Sequence, residues 1–134
     1  MTPTPMPTVE DRRRAVRFGK LAEMMCRMRL RMFGWRILAA NWKTPVGEID
    51  IVARRGKLIA FVEVKARSAG SAETAAPSPR QRQRIVRAAE MFLARDPGFG
   101  TLCGRFDVMF VQPWPSPHFI WPHHIPDAWR HTPS

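Results

Sequence analysis

Four ionisable side chains in one stretch of the 134-residue chain have the types and spacing for cation-assisted chemistry: Glu48, Asp50, Glu63 and Lys65. They lie in two β-branched runs, Val46 to Ala53 and Leu58 to Lys65, around Arg54-Arg55-Gly56-Lys57, the pattern of an antiparallel hairpin. Side chains two apart on a strand share a face, which pairs Glu48 with Asp50 and Glu63 with Lys65. Val46 and Val52 bound the Glu48 and Asp50 face, so it is expected to be partly buried, and two carboxylates held close there repel unless a positive charge intervenes. A divalent cation meets that need, since Mg²⁺ takes one or two carboxylates with water and substrate phosphate, and Mn²⁺ accepts the same set. Such an ion polarises a phosphodiester and activates water, and Lys65 would orient that water, stabilise charge on the phosphorane or act as a desolvated base. The competing reading is a cross-strand salt-bridge cluster on a solvated face.

The elements that must position these residues follow from periodicity. Residues 1–9, with Pro3, Pro5 and Pro7, read as a disordered lead-in to a single domain over 10–134. From Glu10 to Phe33, the residues Phe18, Leu21, Ala22, Met25, Met28 and Met32 recur at helical spacing and predict the buried stripe of a first helix that stops at Gly34. Glu23 sits at the edge of that stripe, one turn after Gly19, whose missing side chain would leave room for a close approach; the plain alternative pairs Glu23 with Arg27. After the hairpin, residues 66–79 read as a mobile loop. Ile85, Ala88, Ala89, Phe92 and Leu93 then give a second helical stripe ending around Pro97-Gly98. A strand is predicted over Arg105 to Gln112, with Asp107 and Arg105 as a local ion pair. The proline-rich tail from about 113 leaves room for a short strand near His118 to Trp121 and then irregular chain.

Charge narrows the partner. The 22 Lys and Arg against 11 Asp and Glu give a net charge of +11, which favours polyanions. Nine basic residues face three acidic ones between Glu10 and Arg36, an excess that local pairing cannot absorb, so Arg13, Arg17, Lys20, Arg27 and Arg31 are candidate phosphate contacts. Arg80, Arg82 and Arg84 would extend that surface if the second helix shares the hairpin's side of the sheet. Cys26 and Cys103 are too sparse for a disulfide framework, and no apolar run approaches the ~20 residues of a membrane helix, so a cytoplasmic protein without a membrane partner is expected. The four histidines lack zinc-site spacing.

The string Gly47-Glu48-Ile49-Asp50, followed by Phe61-Val62-Glu63-Val64-Lys65 and Arg67, resembles the signature of restriction-endonuclease-like nucleases. Within them it is most similar to the YraN-like family of uncharacterised bacterial proteins, themselves similar to archaeal Holliday junction resolvases. The likeness extends to Gly19 to Glu23, Asn41, Arg80 to Ala89 and Arg105 to Val108. It implies an α/β fold with a central mixed sheet flanked by helices. It also implies Asp50 and Glu63 as metal ligands for Mg²⁺ or Mn²⁺, Lys65 as the catalytic lysine and Glu23 as the helix-borne acid. Glu48 and Gln81 are additional site positions, and Arg67 joins the nucleic-acid contacts. The implied activity is metal-dependent cleavage of DNA ahead of RNA, branched DNA included, by a homodimer. The alternative is a noncatalytic nucleic-acid-binding module with a vestigial site.

Overall fold

A computed structural model describes residues 6, 8–66, 77–112 and 121–131. Helix α1 (Val9–Met32) is followed by strands β1 (Arg36–Lys43), β2 (Glu48–Arg55) and β3 (Leu58–Ala66). Helix α2 (Pro79–Leu93), a 3₁₀ turn (Pro97–Thr101), β4 (Cys103–Val111) and β5 (His123–Trp129) complete the chain. The five strands form one sheet in sequence order, antiparallel except for the parallel β3–β4 pair, whose crossover carries α2. This is an α/β fold of the restriction-endonuclease-like type. Of the expected lead-in, residues 1–5 and 7 lie outside the described residues; Thr8 is the N-cap of α1, in a capping box with Asp11. Most of the expected loop, 67–76, also lies outside them.

The two helices cover opposite faces of the sheet. Ala22, Cys26 and Leu30 of α1 pack on Ile51, Ala53, Ala60, Val62, Met109 and Val111. Ala88, Ala89 and Phe92 of α2 pack on Ile49, Val52, Ile59 and Phe61. Along α1 the buried stripe is therefore Ala22, Cys26 and Leu30, with Phe18 partly buried, and it corrects the expected one: Leu21, Met28 and Met32 are exposed, Met32 at 71%. Phe18 and Ala22 are in the stripe as expected; Cys26 and Leu30 continue it in place of Met28 and Met32, because they follow Ala22 at the four-residue spacing that keeps one face on the sheet.

Strand β1 was not anticipated, because Arg36–Lys43 does not alternate cleanly; its register shifts between Ile37 and Ala39, and Asn41 takes φ 51°. The last strand is also a correction. Residues 118–120 lie outside the described residues, Trp121 is not in a strand, and the segment expected to be irregular, His123–Trp129, pairs with β4. Pro126 is tolerated there because β5 is an edge strand and the ladder is irregular between Phe106 and Val108, where Asp127 adopts φ 51°.

Candidate active site

The hairpin forms as expected, with Gly56 at φ 62° in its turn, but its carboxylates are arranged differently from a regular strand. Ile49 packs beneath α2 while Ile51 packs beneath α1, so the face alternation slips by one at Asp50. The β1–β2 ladder runs from Ala40↔Ile51 to Trp42↔Ile49, with left-handed Asn41 opposite the slip. Glu48 is exposed while Asp50 is half-buried. Beyond Ile51↔Val62 the β2–β3 pairing stops, and the Val64 N–H donates instead to Asp50 Oδ2 at 2.8 Å. A carboxylate thus takes the place of a ladder carbonyl, which fixes Asp50 beside β3.

Glu48, Asp50, Glu63 and Gln81 line one cavity of about 190 Å³, walled by Phe61, Ile85, Asp107 and Trp129. The Gln81 Nε2 donates to Glu63 Oε1 at 2.9 Å, and Gln81 is placed at the start of α2 by the Ser78 N-cap. Burial pushes the Asp50 carboxyl up; the Val64 hydrogen bond opposes this, and the negative charges of Glu23, Glu63 and Glu48 add to it, giving a pKa of about 6. Glu23 on α1 is therefore close enough to be felt by Asp50, although it does not line the cavity. Burial, then the charge of Asp50, pushes the Cys26 thiol up to about 12, so it is not a nucleophile.

Lys65 is 8% exposed and also lies outside the cavity lining. Among the described residues no ion pair joins it to Glu48, Asp50 or Glu63, and none joins Glu23 to Arg27. The donor set is hard oxygen, suited to Mg²⁺ or Mn²⁺ with water completing the shell. No group of three or more His, Cys, Asp or Glu among the described residues forms a ready-made metal cage. A Cβ at Gly19 would meet nothing of this chain within 4 Å.

Asp107 also faces the cavity, fully buried, but its oxygens are committed. Oδ1 accepts from Arg105 Nε (2.8 Å) and the Asp127 N–H (2.9 Å); Oδ2 accepts from Arg105 Nη2 (2.8 Å) and lies 2.7 Å from His124 Nε2. Burial alone would raise its pKa, but the hydrogen bonds from His124, Arg105 and Asp127 outweigh it and hold the carboxyl below its usual range. Asp107 is thus the anchor of β5 and of the cavity wall at Trp129. The Arg105-x-Asp107 spacing announced the pair; nothing in the sequence announced the cavity.

The basic residues fall into two groups. Arg13, Arg17, Lys20, Arg27 and Arg31 lie along α1, with Arg17 3.5 Å from Glu10, while Arg80, Arg82 and Arg84 lie on α2, across the sheet. The single extended surface is therefore two surfaces, and Arg82 Nε donates to the Pro77 carbonyl at 2.8 Å. Arg67 lies outside the described residues.

Residues 22–111, which carry the second half of α1, the hairpin, α2 and β4, match Uncharacterised protein family UPF0102. The chain belongs to the UPF0102 family. It is 47% identical over 116 residues to a UPF0102 protein of Parvibaculum lavamentivorans, covering 87% of this chain and 84% of that one. A UPF0102 protein of Rhodopseudomonas palustris (strain HaA2) is 44% identical over 133 residues, 99% of this chain and all of the relative. A Paramagnetospirillum magneticum UPF0102 protein is 48% identical over 120 residues, 87% and 89% of the two chains. The YraN-like resemblance read from the hairpin is therefore a family relationship that spans the UPF0102 chain. No helix among its described residues is long and apolar enough to cross a membrane.

Proposed function

We propose that this UPF0102 protein is a metal-dependent endonuclease that hydrolyses phosphodiesters in DNA, branched DNA included, in the cytoplasm. The observation that carries the reading is the joining of Asp50, Glu63 and Glu48 around one small cavity, with Asp50 held at a pKa of about 6 among like charges. Carboxylates kept close against their own repulsion are what a cation site requires. Asp50 and Glu63 would hold the ion, which when bound supplies Lewis-acid activation of water and phosphodiester oxygen. Gln81 fixes the orientation of Glu63 through its 2.9 Å hydrogen bond. Lys65, buried two residues along β3 from Glu63 and outside the cavity lining, would supply the positive charge that orients the water and offsets charge developing on phosphorus. Glu23 assists from α1 through its field at Asp50. The net charge of +11 draws the polyanion.

The lack of a three-ligand cage among the described residues favours one second reading, a noncatalytic nucleic-acid-binding module with a vestigial site. Cleavage of labelled linear, flap and four-way-junction DNA and matched RNA, in Mg²⁺, Mn²⁺ or EDTA, separates them. Cation-dependent cutting that Asp50→Asn abolishes is the expected result; tight binding with no cutting under any cation transfers the conclusion to the binding module. Sedimentation of the protein with and without junction DNA reads out the dimer that the resolvase likeness implies.

A further inference from the structure

A second concavity adjoins the carboxylate cavity. It is a groove of about 650 Å³ between the β1–β2 turn and the first half of α2, and it shares Glu48, Gln81 and Ile85 with the inner cavity. Its outer part carries Arg84 and Arg87, both exposed, and among the described residues neither makes an ion pair. The turn is rigid: Thr44 Oγ1 donates to the Gly47 carbonyl (2.7 Å) and accepts from the N–H groups of Val46 (3.2 Å) and Gly47 (2.9 Å). The turn also touches the helix, since a Cβ at Gly47 would lie 2.6 Å from the Arg84 carbonyl oxygen. Only glycine permits that approach, so the groove has a closed floor set by Gly47.

The sign of charge changes along this path, from two uncompensated arginines to Glu48, Asp50 and Glu63. A polyanion is attracted by the first part and repelled by the second unless a cation neutralises it, so its phosphates settle on the arginines before one reaches the carboxylates. The groove leading to the inner cavity is walled by the β1–β2 turn on one side and by α2 on the other, and its floor is closed where Gly47 meets Arg84. A single strand lies between these two walls with its backbone on the arginines, whereas a duplex brings a second strand that the turn and α2 leave no room for.

We propose that the Arg84 and Arg87 groove is the entry path for an unpaired nucleic-acid strand, such as a single-stranded arm or flap, into the carboxylate cavity. This deepens the nuclease reading and rests on it only for the chemistry at the inner end. The test is fluorescence anisotropy of the full chain with a labelled single-stranded DNA, its blunt duplex and a flap of the same sequence, in EDTA. Arg84→Ala/Arg87→Ala is compared with Arg12→Ala/Arg36→Ala, the same charge change elsewhere on the exposed surface. Alanine keeps the α2 helix, and circular dichroism verifies the fold. Single strand and flap are expected to bind more tightly than the blunt duplex. The groove variant should lose about tenfold affinity for the single strand and about 1.4 in log-log salt slope, at roughly 0.7 per phosphate contact. Its duplex binding should change less than twofold. Equal losses from both double variants, or no preference for unpaired DNA, would overturn the proposal. Gly47→Ala, which displaces the turn, is expected to weaken single-strand binding selectively; uniform binding to all three substrates would count against a built groove. Selective groove binding without cleavage under any cation would remove the nuclease reading and leave the groove standing.

Discussion

Replacing Asp50 by Asn should make the protein more stable at neutral pH, because the native fold keeps a carboxylate where burial and three acidic neighbours oppose its charge. The folded pKa of about 6 against an ordinary value of 3.8 corresponds, at about 1.4 kcal/mol per tenfold change, to about 3 kcal/mol. The sign follows from proton counting. Between pH 4 and pH 6 the folded state holds a proton that the unfolded chain has released, so stability falls as pH rises through this window and the full penalty is present above it. Asn keeps an oxygen to accept the Val64 N–H, now at 2.8 Å, and removes the charge. Thermal unfolding in EDTA at pH 7.5 should therefore give a Tm for Asp50→Asn on the order of 10 °C above the natural chain. At pH 4 the two Tm values should nearly coincide. Added Mg²⁺ or Mn²⁺ should raise the Tm of the natural chain alone, since only it carries the charge the cation relieves. An Asn variant that is equal or less stable at pH 7.5, or a gap that does not shrink on acidification, would refute the electrostatic account of the site.

Leu30→Ala should cost about 2–5 kcal/mol in urea unfolding, while Met28→Ala, whose side chain is 54% exposed, should stay within about 0.5 kcal/mol; the reverse order would restore the methionine stripe as core. Asp107→Ala should cost about 3–5 kcal/mol, because it leaves the Arg105 guanidinium, the His124 ring and the Asp127 N–H without their acceptor. Because the folded pKa of Asp107 is depressed, its contribution is present above its ordinary value of 3.8 and lost as pH falls through the folded pKa, so the variant and the natural chain should converge in acid.

Much of the fold was legible because it is written in local pattern. The β-branched runs around Gly56 and the stripe Ile85, Ala88, Ala89 and Phe92 each specify their element without help from the rest of the chain. Strand β1 was not legible, since Asn41 and the register shift after Ile37 break its period, and β5 was masked by Pro126, which only an edge position permits. On α1, Phe18 and Ala22 were legible but the continuation was not: helical spacing after Ala22 admits either Met25, Met28 and Met32 or Cys26 and Leu30, and contact with the sheet selects the second set.

The same division holds at the site. Residue type and spacing by themselves singled out Glu48, Asp50, Glu63 and Lys65 and, with the net charge, the chemistry they suit. Only the tertiary structure decided that the face alternation slips at Asp50, that Gln81 from α2 holds Glu63, and that Lys65 and Glu23 stand outside the cavity lining. It also divided the arginines into two surfaces and brought Gly47 against α2. Spacing along a chain governs neighbours within an element, whereas contacts between elements depend on the twist, slip and packing that the whole sheet settles together.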